Sequence, residues 1–143
     1  MSGAVHHGRC LCGAVRLEVR AALGGISACH CRNCARWGGG LQMGIEVPEA
    51  AVLAEGPIRT HDTAIAERAW CDSCGSSLWL RSTEGPGVGT VELVPGLFEA
   101  LGGARLERVV YADRAAGVAL AGDVPRIGAA EYERSNPHLE DEA

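Results

Sequence analysis

Seven cysteines in a chain of 143 residues fall without exception into three short groups. Cys10 and Cys12 form a C-x-C, Cys29, Cys31 and Cys34 a C-x-C-x-x-C, and Cys71 and Cys74 a C-x-x-C. Thiolates at such spacings chelate zinc, whereas an odd number of cysteines makes a poor disulfide framework. Four ligands saturate a structural ion, so the seven thiols divide into one closed site and one with three protein ligands, the form in which catalytic zinc is usually held. Cys29, Cys31 and Cys34 lie within six residues and most simply chelate one ion. Cys10, Cys12, Cys71 and Cys74 must then meet across 58 intervening residues as a four-cysteine staple. Cys12 and Cys74 are each followed by glycine (Gly13, Gly75), which suits a tight knuckle at positive φ, while Cys34 is followed by Ala35.

The residues around the triplet offer further chemistry. His30, His61, Asp62 and Asp72 are alternatives for a fourth ligand, although the middle side chain of an extended C-x-C points to the opposite face. Without such a ligand, the open position binds a small thiol as its thiolate. Arg32 and Arg36 either clamp substrate carboxylates or offset the thiolate charge. The pKa range of His30 and His61 suits proton transfer, and Trp37 reads as a packing residue. Stripped of metal, Cys31 and Cys34 form a C-x-x-C able to oxidise.

Positioning these groups falls to a thin core. Hydrophobic residues are 47% of the chain, but aromatics are only 4%, and 20 glycines argue for many turns and against long helices. Val15, Leu17 and Val19 alternate with Arg16, Glu18 and Arg20, which predicts a half-buried strand over 14–20. Strands are also predicted over 26–31, which carries the central cysteines, and 41–47. Pro48 is expected to open one helical turn through Leu53. Shorter strands are expected over 58–60, 67–70, 78–82, 88–94 and 105–111. Many short strands between glycine-rich turns predict an all-β fold, a sandwich or open barrel. Residues 1–9 read as a flexible lead-in, 10–126 as the zinc-binding domain, and 127–143 as a polar tail ending in Glu140, Asp141 and Glu142.

Charge narrows the partners. Against 18 Asp and Glu stand 13 basic residues, all arginine, for a net charge of -5, so nucleic-acid binding is not expected. No apolar run reaches membrane-spanning length and the first residues lack a signal core, so a cytoplasmic, reducing location is expected, with no membrane partner.

The segments C-L-C-G-A-V at 10–15, A-C-H-C-R-N-C-A-R-W at 28–37 and E-R-A-W-C-D-S-C-G-S-S-L at 67–78 resemble the glutathione-dependent formaldehyde-activating enzymes, a family that includes centromere protein V. All seven family cysteines are present in the family's order, and Trp70 stands where Phe is usual. The resemblance implies a β-tent fold of short antiparallel strands with two zinc ions. Cys10, Cys12, Cys71 and Cys74 would hold the structural ion and Cys29, Cys31 and Cys34 the catalytic one, open to a thiol such as glutathione. It further implies a carbon–sulfur lyase activity like that of S-(hydroxymethyl)glutathione synthase, which joins glutathione and formaldehyde. The alternative is a non-catalytic two-zinc module that binds a protein partner, as other β-tent proteins do. Methionine sulfoxide reduction on a similar fold needs a free cysteine outside the metal groups, and no cysteine follows Cys74.

Overall fold

Apolar residues at alternate positions bury one face of most strands and leave the other free to line a cleft. A computed structural model describes residues 4–115, 117 and 120–142. In chain order the elements are β1 (His6–Arg9), β2 (Arg16–Val19), β3 (Ile26–Cys29), α1 (Arg32–Gly38), β4 (Gln42–Pro48), β5 (Val52–Glu55), β6 (Ile58–Asp62), β7 (Ala66–Cys71), β8 (Ser77–Ser82), β9 (Thr90–Leu93), β10 (Leu106–Val110), β11 (Arg126–Ile127) and α2 (Ala129–Ser135). They form two sheets, β1-β2-β5 and β11-β10-β3-β4-β9-β8-β7-β6, with no closed barrel among the described residues. The fold is mainly β, as the alternation predicts.

The core lies between the sheets. Leu17 and Val19 from the small sheet meet Ile45, Val47, Leu78, Val91 and Leu93 from the large one, with Leu97 and Phe98 closing one end. On the strands that supply this core, the intervening residues face away from it: Ser27 and Cys29 on β3, Gly44 and Glu46 on β4, Glu92 on β9 and Leu80 on β8. All six line a cleft on the other side.

Several elements differ from expectation, each for a physical reason. Strand β10 runs parallel to both β3 and β11, so the large sheet is mixed rather than wholly antiparallel. Residues 6–9, expected as a flexible lead-in, form β1, paired with β2 from His6↔Val19 to Arg9↔Arg16. There Gly8 lies against the Phe98 ring, where an added Cβ would come within 3.0 Å of Cε1. The turn expected through Leu53 is cut to a 3-10 turn over Glu49–Ala51, because Val52 begins β5 on the edge of β2.

The polar tail is not frayed where it is described. Residues 129–135 form α2, whose first N–H (Ala129) donates to Asp113 Oδ1 at 2.8 Å. Tyr111 OH donates to Glu133 Oε2 at 3.1 Å, and Tyr111 and Tyr132 meet edge to face with centroids 5.7 Å apart. Such aromatic pairs hold a short helix that propensity alone would not.

Candidate metal centre and adjoining cleft

Two knuckles bring four of the cysteines together. Cys10 and Cys12 lie between β1 and β2; Cys71 ends β7, and Cys74 sits in the turn before β8. The knuckles are built alike. Gly13 N–H donates to Cys10 O at 3.1 Å and Gly75 N–H to Cys71 O at 2.8 Å, and both glycines stand at φ 80°, where a side chain is strained. Leu11 N–H donates to Ser76 Oγ at 3.0 Å and ties one knuckle to the other. The four sulfurs lie within 4.8 Å of one another, with Cys10–Cys12 at 3.6 Å and Cys12–Cys71 at 3.9 Å. Sulfurs bound tetrahedrally at about 2.3 Å from a zinc ion stand roughly 3.8 Å apart, so this donor set fits that metal. The Ser76 hydroxyl, with backbone N–H groups, lowers the Cys74 thiol to about 5, and it is therefore ready to act as a thiolate ligand.

The other three sulfurs, Cys29, Cys31 and Cys34, also lie within 4.8 Å of one another. Cys29 ends β3, Cys31 caps α1 by accepting from Cys34 N–H at 3.3 Å, and Cys34 lies in that helix. The chain thus turns from strand to helix inside the motif, which brings the third sulfur back to the first two. Contacts from the Cys29 and Cys34 thiols, followed by backbone N–H groups, pull Cys31 down to about 2, and the Cys31 and Cys34 sulfurs push Cys29 up. Three thiolates this close ionise together only with a cation among them, so the triplet also fits a zinc ion.

No His, Asp or Glu among the described residues joins the triplet. His61 and Asp62 are exposed on edge strand β6, and Asp72 pairs with Arg59 at 3.0 Å. His30 is 3% exposed, its Nδ1 has no partner, and it does not line the cleft. Neither candidate proton carrier therefore faces the sulfurs. Arg32 and Arg36 are exposed and line no part of the cleft. Trp37 packs edge to face on Trp70, with centroids 5.5 Å apart.

The cleft beside the triplet, about 370 Å³, holds residues that sequence reasoning missed. Arg68 on β7 is only 6% exposed; its Nη2 donates to Cys34 Sγ at 3.5 Å and its guanidinium lies 5.6 Å from the Trp37 ring. Arg108 on β10 donates from Nε to Ser27 Oγ at 2.9 Å and lies 5.7 Å from the Tyr132 ring. Glu46 and Glu92 stand directly opposite each other on β4 and β9. Burial and then Glu46 raise the Glu92 carboxyl above its ordinary range. Tyr111 (at φ 52°, a conformation rare for a bulky side chain) and Tyr132, Asn136 and His138 form the opposite wall.

A small two-sheet β protein with its cysteines gathered into a group of four and a group of three, the latter at the head of a cleft, is a narrow structural class. Residues 5–113 match the family model of the glutathione-dependent formaldehyde-activating enzymes, and the chain belongs to that family. A Schizosaccharomyces pombe protein described as an uncharacterized lyase is 28% identical over 82 residues, 56% of this chain and 60% of that relative. A crystal structure of a Rhodobacter sphaeroides protein superposes with a TM-score of 0.54 at 19% identity, covering 84% of this chain and 98% of the other, which shows a shared fold.

Protein purified under reducing conditions is expected to carry two zinc ions per chain by elemental analysis, one for each cysteine group. A content near one, with three titratable thiols in the native state, would show that the triplet does not retain metal.

Proposed function

We propose that this protein is a zinc-dependent carbon–sulfur lyase acting on a small thiol adduct of the S-hydroxymethylglutathione type. Cys10, Cys12, Cys71 and Cys74 hold a structural zinc that staples the small sheet to the large one. Cys29, Cys31 and Cys34 would hold the second zinc, which would supply a Lewis-acidic seat that favours the substrate sulfur as its thiolate. The observation that carries this reading is a cluster of three sulfurs at the head of a cleft, with no fourth ligand among the described residues. Membership of the formaldehyde-activating family and the name of the yeast relative support the reaction class.

Zinc bound by the triplet would favour the thiolate form of an added thiol, which at neutral pH is the minor form. The chain's own residues do the rest. Arg68, held by Cys34 and Trp37, brings positive charge beside the sulfurs, and the paired Tyr111 and Tyr132 rings line the same cleft. Joining a thiol to formaldehyde forms one C–S bond and moves the thiol proton to the carbonyl oxygen; the reverse breaks that bond, and neither needs a redox partner. Holding the sulfur beside the carbonyl contributes through positioning. No helix of the described residues is long and apolar enough to cross a membrane, and the family's chemistry suits a reducing, cytoplasmic setting.

Cobalt substituted at the triplet reports on the fourth position. Addition of glutathione at millimolar concentration is expected to change its visible spectrum and release a proton, because coordination favours the deprotonated thiol. The four-cysteine site, already saturated, is expected to stay silent. A spectrum indifferent to every small thiol would sink the lyase reading and favour a two-zinc protein-binding module.

A further inference from the structure

The proposed reaction moves one proton between sulfur and oxygen, and the cleft offers few groups to carry it. His30 and His61 do not line the cleft. Tyr111 lines it, but its hydroxyl donates to Glu133, and burial followed by Glu133 raises it above the ordinary phenol range. His138 rests against Gly85, in the loop between β8 and β9.

Glu92 is placed differently. Its side chain lies over Gly44, where an added Cβ would come within 2.7 Å of the Glu92 Cβ and 3.1 Å of Oε1. Gly44 pairs with Ser27, and two positions along β4 Gln42 pairs with Cys29, so the carboxyl lies on the floor that leads to the triplet. Charges of both signs face it. Glu46 stands directly opposite on β4, and Cys31 at the head of α1 adds further negative charge. Arg108 on β10 and Arg68 on β7 supply positive charge, and Tyr132 on α2 lies within reach of its field. Burial and then Glu46 outweigh the two guanidinium groups, and the carboxyl stands above its ordinary range. A carboxyl moved toward neutral pH both gives and takes a proton readily, as general acid–base catalysis requires.

Resting on the reading of the protein as a carbon–sulfur lyase, we propose that Glu92 is the general acid–base of that reaction. In cleavage the Glu92 carboxylate takes the proton of the adduct hydroxyl. The O–H electron pair closes the C=O bond, the C–S pair leaves with the sulfur, and formaldehyde is released. The proton then passes from Glu92 to the departing thiolate or to water, which restores the carboxylate. In synthesis the steps run backwards, and protonated Glu92 supplies the oxygen as the thiolate attacks.

Formaldehyde release from S-hydroxymethylglutathione by the two-zinc protein, measured above the uncatalysed rate, tests this. Turnover is expected to fall as pH drops through the raised Glu92 carboxyl, because cleavage needs the carboxylate. Glu92→Gln is expected to lower turnover about a hundredfold or more and to remove that acid limb, while cobalt at the triplet still responds to glutathione. Glu46→Gln removes the like charge opposite and is expected to shift the limb to lower pH; Arg108→Gln removes a favourable charge and is expected to shift it to higher pH. These two shifts test the proposal even where Glu92→Gln does not fold. Turnover in a folded Glu92→Gln close to that of the wild type overturns the proposal and leaves the lyase reading standing. So does a limb that is missing from the wild type, survives in Glu92→Gln or is unmoved by either charge variant. Joint loss of turnover and of the cobalt response in Glu92→Gln assigns the side chain to thiol binding, which also overturns it. A wild type that releases no formaldehyde above background overturns both readings.

Discussion

Cys74→Ser is expected to abolish the cooperative unfolding transition and leave a chain that precipitates or stays unfolded. Apparent binding free energies for structural zinc reach about 10–16 kcal/mol, and in small metal-stapled domains much of that is folding free energy. The dependence would be greater here because of what a metal on these four thiols would join: Cys10 and Cys12 flank the small sheet, Cys71 and Cys74 the large one, and the main core lies between the two. With 4% aromatic residues that core is thin, and net stabilities of about 5–15 kcal/mol do not survive a loss of this size. A strong chelator applied to the wild type is expected to produce the same far-ultraviolet dichroism loss. A Cys74→Ser protein that melts cooperatively within a few degrees of the wild type would show that the four-thiol group is not the staple.

The features legible in sequence share one property: their signal is local. The seven cysteines announce themselves by spacing, Gly13 and Gly75 by following Cys12 and Cys74, and the β2 and β4 strands by strict alternation. What escaped depends on partners distant in sequence. Arg68 sits in E-R-A-W-C, where it reads as the outer face of a strand; its burial comes from Cys34 and Trp37, 34 and 31 positions away. A register shift between Ala69 and Trp70 breaks the alternation there, so that Arg68 and Ala69 are both buried. Glu92 in T-V-E-L reads as a solvated face because nothing nearby in the sequence says that β4 brings Glu46 opposite. Helix α2 has too few apolar residues for a 3.6-residue period to show, and its order comes from Asp113 and Tyr111, which precede it. Arg32 and Arg36 show the converse: proximity in sequence to the triplet does not bring them into the cleft, because both are exposed on α1.

Arg68 and Cys34 form a coupled pair whose separation is expected to cost more than either side chain's own contacts. The guanidinium is 6% exposed and Nη2 reaches the Cys34 sulfur at 3.5 Å. In Cys34→Ala the protein is expected to fold with its four-cysteine site intact and one zinc bound. It loses the thiol-responsive cobalt signal and about 3–5 kcal/mol of stability, because a buried cation is left without its anionic neighbour. Arg68→Met alone keeps both sets of cysteines but weakens metal retention at the triplet about tenfold to a hundredfold, the usual effect of removing a group that contacts a ligand. The double variant Cys34→Ala/Arg68→Met is the decisive one. With the charge and its partner both gone, Met packs against Trp37 and the chain is expected to be more stable than Cys34→Ala, an interaction of at least about 1 kcal/mol in the cycle. Denaturant titration of the four proteins, each checked for one retained zinc at the staple, measures it. Stabilities that add within about 0.5 kcal/mol would mean that Arg68 is held by Trp37 and its strand neighbours alone. The sulfur cluster and the charged cleft would then be independent sites rather than one.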